Sequence, residues 1–388
     1  MFSNETLSIL RYVVSRDTDV PAITDWQIVI DELRDHAILP ILIPINKQLS
    51  IPEEIDNQLK VEQYQHVSRF VSVMHAQQEL TNILEKQSVL PMILKGIAAA
   101  QYYDYVESRT FGDIDILITD ENAFNVAVNV LLELGYLPQK EYGELTFRAS
   151  LANNSRHFEF NKNSIEVELH SRYTDTGSPL ENLIHDTIPT KTSIKQWCFY
   201  CLPDIENGLT LLQHVKFHMN YDGVGLRLLL DWAYYVKTVL SDDLWNNHFE
   251  NLAEKCGLKK LAECLTKICE KYFGLERHLF AESADEEICE LFFQLVYESG
   301  NFGRKRSEIS KKTSTIKKGN VLQILQNKGS KSNEKVNEHI SFRLLAWIRG
   351  FYRYIVFILR RKKGIISFAD GLRYARINER VQDYFDNK

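Results

Sequence analysis

The segment Gly112-Asp113-Ile114-Asp115-Ile116-Leu117-Ile118 sets two carboxylates one residue apart inside an apolar run. In an extended chain alternate side chains point the same way, so Asp113 and Asp115 share one face while Ile114 and Ile116 turn toward a core. Carboxylates held about 7 Å apart along a strand repel one another and lose hydration, which costs stability unless a cation or hydrogen bonds lie between them. A metal is the economical explanation, and carboxylate-held metal suggests phosphoryl-transfer chemistry.

A second strand-like segment, Ile165-Glu166-Val167-Glu168-Leu169-His170, places Glu166, Glu168 and His170 on one face. If that face adjoins the first, three acids surround one or two Mg²⁺ ions, hard cations that take oxygen ligands together with substrate phosphates. Two such ions about 4 Å apart stabilise both ends of an in-line displacement. The third acid would orient the metal nearer the nucleophile or accept its proton. Glu166 reads as a surface charge at the strand end. His170 either contacts substrate or caps its strand by hydrogen bonding. Arg109, just ahead of the acidic strand, either pairs with an acid or holds a phosphate with its planar fork.

The elements that must position these groups follow from periodicity. Residues 1–90 carry apolar positions at helical spacing, as in Trp26, Ile30 and Leu33 and in Tyr64, Val67, Val71 and Met74, and read as a helical bundle. The helix entering His36 to Pro44 must end near Pro40, which lacks the N–H the helix ladder needs. Leu90 to Leu94 is a short apolar strand that breaks at Lys95-Gly96 and opens a helix through Ala98 to Tyr103. The Asp113/Asp115 strand follows, then a helix from Glu121 to Leu134 stopped by Gly135. Arg156 to Phe160 and Ser164 to His170 alternate with period two around Asn161-Lys162-Asn163, a β-hairpin. From Leu209 to about 302 the pattern is helical again.

The expected architecture is therefore α+β: a small mixed β-sheet core over 90–200, between a helical region at 1–89 and a helical domain at 201–302. Residues 303–340, rich in Lys, Ser, Asn and Gln, read as a basic linker. Over 341–388 a helical stripe of Leu344, Ile348, Phe351, Tyr352, Ile355 and Leu359 opposes Arg349, Arg353 and Arg360, which suits either packing on the body or an anionic membrane surface through 341–363.

At 388 residues and 44% hydrophobic the chain is long enough for two or three packed units. Arg11 interrupts the first apolar stretch, and no run approaches the roughly 18 apolar residues of a spanning helix. The cytoplasm is the expected compartment, with a peripheral contact at the inner membrane face as the alternative. Six cysteines in so long a chain read as reduced thiols. Cys198 and Cys201, flanked by Trp197, Phe199 and Tyr200, read as a buried strand rather than a zinc or redox site. Charge is unevenly spread. Residues 301–388 hold 21 Lys and Arg against 7 Asp and Glu, leaving 25 against 45 for 1–300. A basic tail on an acidic body calls for an anionic partner, namely nucleic acid, membrane or the body itself. His214 and His218 lie four apart on a helix, a zinc-capable spacing, but the Glu of a metalloprotease H-E-x-x-H is absent. Arg227 and Asp231, also four apart, read as a pair along one helix face.

Taken together, Leu94-Lys95-Gly96, Tyr102 or Tyr103, Arg109, Gly112-Asp113-Ile114-Asp115, Gly135-Tyr136, His157 and Glu168-Leu169-His170 resemble the nucleotidyltransferases of the DNA polymerase β superfamily. Weaker echoes occur at His36 to Pro40, His214 and Asp231, so the resemblance covers about residues 20–240. It is nearest to the nucleotidyltransferase-like group often found beside bacterial surface-polysaccharide genes. The resemblance implies that Gly96 opens the helix facing the nucleotide phosphates, that Asp113 and Asp115 bind metal, and that Glu168 is the third acid. Two positions depart from the pattern. Gly96-Ile97 stands where Gly-Ser or Gly-Gly is usual, removing a hydroxyl contact to the terminal phosphates, and Glu168 stands for the commoner Asp.

The expected activity is Mg²⁺-dependent transfer of a nucleoside monophosphate from a nucleoside triphosphate to an acceptor hydroxyl or phosphate. Asp113, Asp115 and Glu168 would be catalytic and hold metal. Lys95, Gly96, Arg109 and His170 would meet the nucleotide. A small molecule, glycan or protein ranks above nucleic acid as acceptor, because the acidic body lacks a basic groove with interleaved aromatics. Two alternatives are a catalytically inactive nucleotide- or metal-binding module and a membrane-associated factor in surface-polysaccharide synthesis.

Overall fold

A computed structural model of the chain describes residues 1–16, 19–152, 156–303, 305 and 368–386. Its centre is a seven-stranded sheet in the order β3-β4-β5-β2-β1-β7-β6. The strands are β1 (Met92–Leu94), β2 (Ile114–Leu117), β3 (Leu137–Pro138), β4 (His157–Lys162), β5 (Ile165–His170), β6 (Thr190–Ile194) and β7 (Trp197–Cys201). The sheet is mixed: β2 runs parallel to β5 and β1 parallel to β7, while the other neighbours are antiparallel. The α+β architecture expected from periodicity is the one observed.

One face of the sheet is apolar along its length. Ile93, Ile114, Ile116, Phe158, Phe160, Val167, Leu169 and Phe199 pack against the second half of α3 (Glu53–Lys86) and against α5 (Glu121–Glu133). Burying a branched or aromatic side chain of this kind stabilises by about 1.5–3 kcal/mol, so this layer helps hold β2 between β1 and β5. Asp120 caps α5 by accepting the N–H of Ala123, and Gly135 follows it at φ +83, as expected of a helix stop. Arg69 of α3 also donates to the Gly112 carbonyl at 2.6 Å, clamping the entry to β2.

Met92, Leu94 and Leu117 point from the opposite face into a second core. That core is built by α1 (Asn4–Ser15), α2 (Trp26–Asp35), α8 (Asp204–Asn220), α9 (Leu226–Thr238), α12 (Lys259–Phe273) and α13 (Glu286–Ser299). Tyr374, Val381 and Phe385 of the C-terminal helix Phe368–Asp386 join it. Shorter helices fall between these in chain order: α4 (Gly96–Ala100), α6 (Phe147–Ala152), α7 (Pro179–His185), α10 (Asp242–Leu244) and α11 (Glu250–Lys255). The N-terminal helices thus divide between two cores: α1, α2 and the start of α3, with Leu59, pack with the C-terminal helices, whereas the second half of α3 lies on the sheet.

α2 ends at Asp35, short of Pro40, which instead sits in a 3-10 turn over Leu39–Leu42. The turn fits a proline because it demands fewer backbone donors. Cys198 and Cys201 lie three apart on β7, so their thiols point to opposite faces and cannot ligate one metal together. Cys201 is buried in the α3-side core, and all six cysteines are free. The basic linker expected over 303–340, apart from Gly303 and Lys305, and the amphipathic stripe over 341–363 lie outside the described residues. No described helix is long and apolar enough to cross a membrane.

Candidate functional site

Strand register assembles the polar groups. Asp115 lies between Leu94 of β1 and Glu168 of β5, and Glu168 lies opposite Glu159 of β4. One row along, Leu117 lies between Met92 and His170, and His170 faces His157. Partners in register share a face. The face opposite α3 is therefore apolar over β1 and polar over β5 and β4. Asp113 precedes β2 by one residue, and carboxylate oxygens of Asp113, Asp115 and Glu168 lie within 4.8 Å of one another. Glu166, on the same face of β5, is exposed at the far end of the strand.

Asp115 is 2% exposed. Lys95 Nζ donates to its Oδ1 at 2.8 Å, and His170 Nε2 lies 3.0 Å from the same oxygen. Burial works against the charge, but the Lys95 ammonium and the His170 contact outweigh it and hold the Asp115 carboxyl well below its usual range. Asp113 has no such cation in contact among the described residues. The charge of Asp115, and then burial, push its pKa up to about 6. The pair is thus one ionised acid beside one that retains its proton readily, a state that an added cation would reverse. Burial alone would lower the pKa of His170, yet its contacts with Asp115 and Glu168 raise it. His157 is lowered, by burial first and then by the charge of His170.

The backbone beside the acids is strained. Lys95 adopts φ +47, ψ −135, a region costing a non-glycine residue on the order of 1–3 kcal/mol, and Gly96 follows at φ +32. This bend between β1 and α4 turns the Lys95 side chain back over Asp115. Ile97 is buried in the α3-side core, so the residue after Gly96 presents no polar group to the site.

Arg109 occupies neither open solvent nor the carboxylate cluster. Its Nε and Nη2 donate to the two oxygens of Asp231 at 2.7 and 2.8 Å, both residues being buried, and Tyr103 donates to Asp231 Oδ1 at 2.8 Å. Of the two readings of Arg109, pairing with an acid is the one observed. The helix-face pair of Arg227 and Asp231 is corrected by the same contact. Asp231 is taken by Arg109, because a bidentate guanidinium from the neighbouring loop outcompetes a single contact along the helix. Arg227 makes no ion pair among the described residues. Its guanidinium lies 4.7 Å over the Phe302 ring, and its Nε has no hydrogen-bond partner. Burial, then the charge of Arg109, lower its pKa to about 10, against the pull of Asp231 and Asp113.

α8 and α9 wall the site from the helical side. His214 and His218 of α8 share a contact between Nε2 atoms at 2.9 Å. Burial keeps both lowered, with Lys95 and Arg227 adding to the effect, so they form a neutral pair rather than a charged one. Periodicity had no means of finding Glu159, or of placing Arg227 near Asp113. Their only signal was a polar residue in an otherwise apolar strand or helix.

Comparison with known proteins adds one decisive match. A family model described as uncharacterised nucleotidyltransferase matches residues 23–274, well over half of the chain. The chain belongs to this nucleotidyltransferase family. The matched segment spans the whole sheet, the three carboxylates and α2 through α12. A crystal structure of an antigenic nucleotidyltransferase-like protein from Paracoccidioides brasiliensis aligns with 54% of this chain and 95% of that one, at 13% identity and a TM-score of 0.35, a likeness too slight to bear on function. No curated protein matches the chain. In this member of the family the donor set of Asp113, Asp115 and Glu168 is all carboxylate oxygen, which fits a hard divalent cation such as Mg²⁺.

Proposed function

We propose that the chain is a Mg²⁺-dependent nucleotidyltransferase that moves a nucleoside monophosphate from a nucleoside triphosphate to a hydroxyl or phosphate on an acceptor. The observation carrying this reading is the convergence of Asp113, Asp115 and Glu168 from two adjacent parallel strands, with their oxygens within 4.8 Å. Mg²⁺ held there would neutralise the triphosphate and lower the pKa of the attacking hydroxyl.

The chain's own residues supply the rest. Asp113, whose raised pKa comes first from the charge of Asp115, would give up its proton as a cation enters and become a ligand. Lys95 keeps Asp115 ionised in the absence of a cation and swings toward phosphate once Asp115 has another partner. Arg227, without a carboxylate of its own, faces the site as a cation for the phosphates and takes the role first expected of Arg109. Gly96 allows the bend that sets Lys95, and His170 orients Asp115 and Glu168 through Nε2. The acceptor is a small molecule, glycan or protein that enters beside α8.

A second reading, a module that binds nucleotide or metal without turnover, draws on Ile97. A buried isoleucine replaces the hydroxyl expected after Gly96. Calorimetric titration of each of the four nucleoside triphosphates with Mg²⁺ tests the site. The wild type should bind and the Asp113→Ala, Asp115→Ala double variant should not. Binding that persists unchanged in the folded double variant overturns both readings, and binding without turnover on any acceptor favours the second.

A further inference from the structure

β4 and β5 pair so that His157 lies directly across from His170, with ring centroids 4.8 Å apart. Glu168 divides its carboxylate between them, Oε2 lying 3.2 Å from His170 Nε2 and Oε1 3.9 Å from His157 Nε2. One ligand atom from each of the three residues falls within 4.8 Å of the others. Ligands at about 2.0–2.1 Å from a tetrahedral zinc are about 3.4 Å apart, so rotation of side chains on fixed strands closes the set.

Each of these ring nitrogens faces more than one carboxylate. A ring nitrogen carries at most one hydrogen, yet His170 Nε2 faces Asp115 Oδ1 at 3.0 Å as well as Glu168 Oε2. His157 Nε2 likewise faces Glu159 Oε1 at 3.4 Å in addition to Glu168. Lys95 already donates to Asp115 Oδ1 and Lys140 to Glu159 Oε1, so Glu168 is the carboxylate left to the two rings, and a divalent cation would meet all three side chains at once. Two imidazoles with one carboxylate suit zinc and its neighbours, whereas Mg²⁺ prefers oxygen alone.

We propose that His157, Glu168 and His170 form a binding site for a divalent transition metal of the zinc type, beside the three-carboxylate cluster and sharing Glu168 with it. The site rests on the imidazoles and stands whether or not the neighbouring carboxylates bind Mg²⁺ and nucleotide. Zinc occupancy then draws on Glu168, so the two metals compete or bridge through that one side chain.

The test is calorimetric titration of ZnCl₂ into the full chain in magnesium-free buffer, for wild type, His157→Ala, His157→Gln and Asp113→Ala. Wild type and Asp113→Ala should each bind one zinc per chain, and both His157 variants should bind at least tenfold more weakly. His157→Gln retains shape and polarity, so it answers the question if His157→Ala fails to fold. Replacement by Co²⁺ should give the intense visible bands of a tetrahedral site in wild type and lose them in the His157 variants. Absence of zinc binding to wild type, or equal affinity in a folded His157 variant, overturns the proposal. Mg²⁺-dependent nucleotide binding, measured on the same variants, reports separately on nucleotidyl transfer at the carboxylates: it should survive His157→Gln and be lost in Asp113→Ala.

Discussion

Arg109 and Asp231 form a buried bidentate ion pair that ties the loop leading into β2 to the middle of α9. Both side chains are buried, and Tyr103 completes the link by donating to Asp231. Removing one partner leaves the other charge buried and uncompensated. Asp231→Ala should therefore cost about 3–5 kcal/mol in urea unfolding. Arg109→Met combined with Asp231→Leu should recover most of that loss, which a double-variant cycle will measure.

Arg227 should behave in the opposite way. It is a half-buried cation whose Nε has no hydrogen-bond partner and which has no acid in contact among the described residues, so Arg227→Met should leave the ligand-free protein about as stable as the wild type. Affinity for a Mg²⁺-nucleoside triphosphate should fall at least tenfold, or about 1.4 kcal/mol. Thermal unfolding and calorimetry on one preparation decide both halves.

Asp113 is made to titrate near neutral pH by its neighbour Asp115, and this repulsion is stored in the folded protein. Added Mg²⁺ should raise the melting temperature of wild type at pH 7.5, because a ligand that binds only the folded state stabilises it. Asp113→Asn removes one charge of the pair. It should melt higher than wild type without metal and show little further rise with Mg²⁺.

His36 provides a pH handle at the start of α9. Its Nδ1 accepts the Leu226 N–H at 3.2 Å, and burial, followed by the charge of Lys305, lowers its pKa to about 3. The unfolded chain takes up a proton near the ordinary value of 6.5, while the folded protein does so only near 3. The stability from neutral His36 is thus full above pH 6.5 and lost as pH falls toward 3, at about 1.4 kcal/mol for each pH unit crossed between the two values. His36→Asn keeps an acceptor for Leu226 and should flatten the dependence of unfolding free energy on pH across that window.

Gly208 on α8 lies against Tyr235 of α9, and a Cβ there would meet ring atoms at 2.3–2.6 Å. Tyr235 is fully buried and cannot swing away. Gly208→Ala should destabilise by about 1–3 kcal/mol or more. Because α8 walls the site, nucleotide binding by the surviving folded fraction should weaken as well, which a comparison of melting temperature and calorimetric affinity will show.

Much of the site was legible in the order of residues alone. The alternation in Asp113-Ile114-Asp115-Ile116 and in Glu166-Val167-Glu168-Leu169-His170 declares two half-buried strands with acids on one face, since period two is a property of the extended chain itself. The apolar side of those patterns found its place against α3 and α5, and Gly135 ended its helix where a left-handed residue is needed. β6 was harder to see. Thr190–Ile194 is mostly exposed and polar, and it becomes a strand through its pairing with β7.

Local pattern specified which residues share a face, because strand and helix periods are set by the backbone of each segment alone. It could not specify which faces meet. That β2 lies parallel beside β5, bringing Glu168 level with Asp115, depends on a crossover through α5 and on the packing of two sheet faces against different helices. The pairing of Asp231 likewise went to Arg109, 122 residues away, rather than to Arg227 one turn along the same helix. Long-range partners are chosen by burial and hydrogen-bond geometry in the assembled core, and those exist only once the chain has folded.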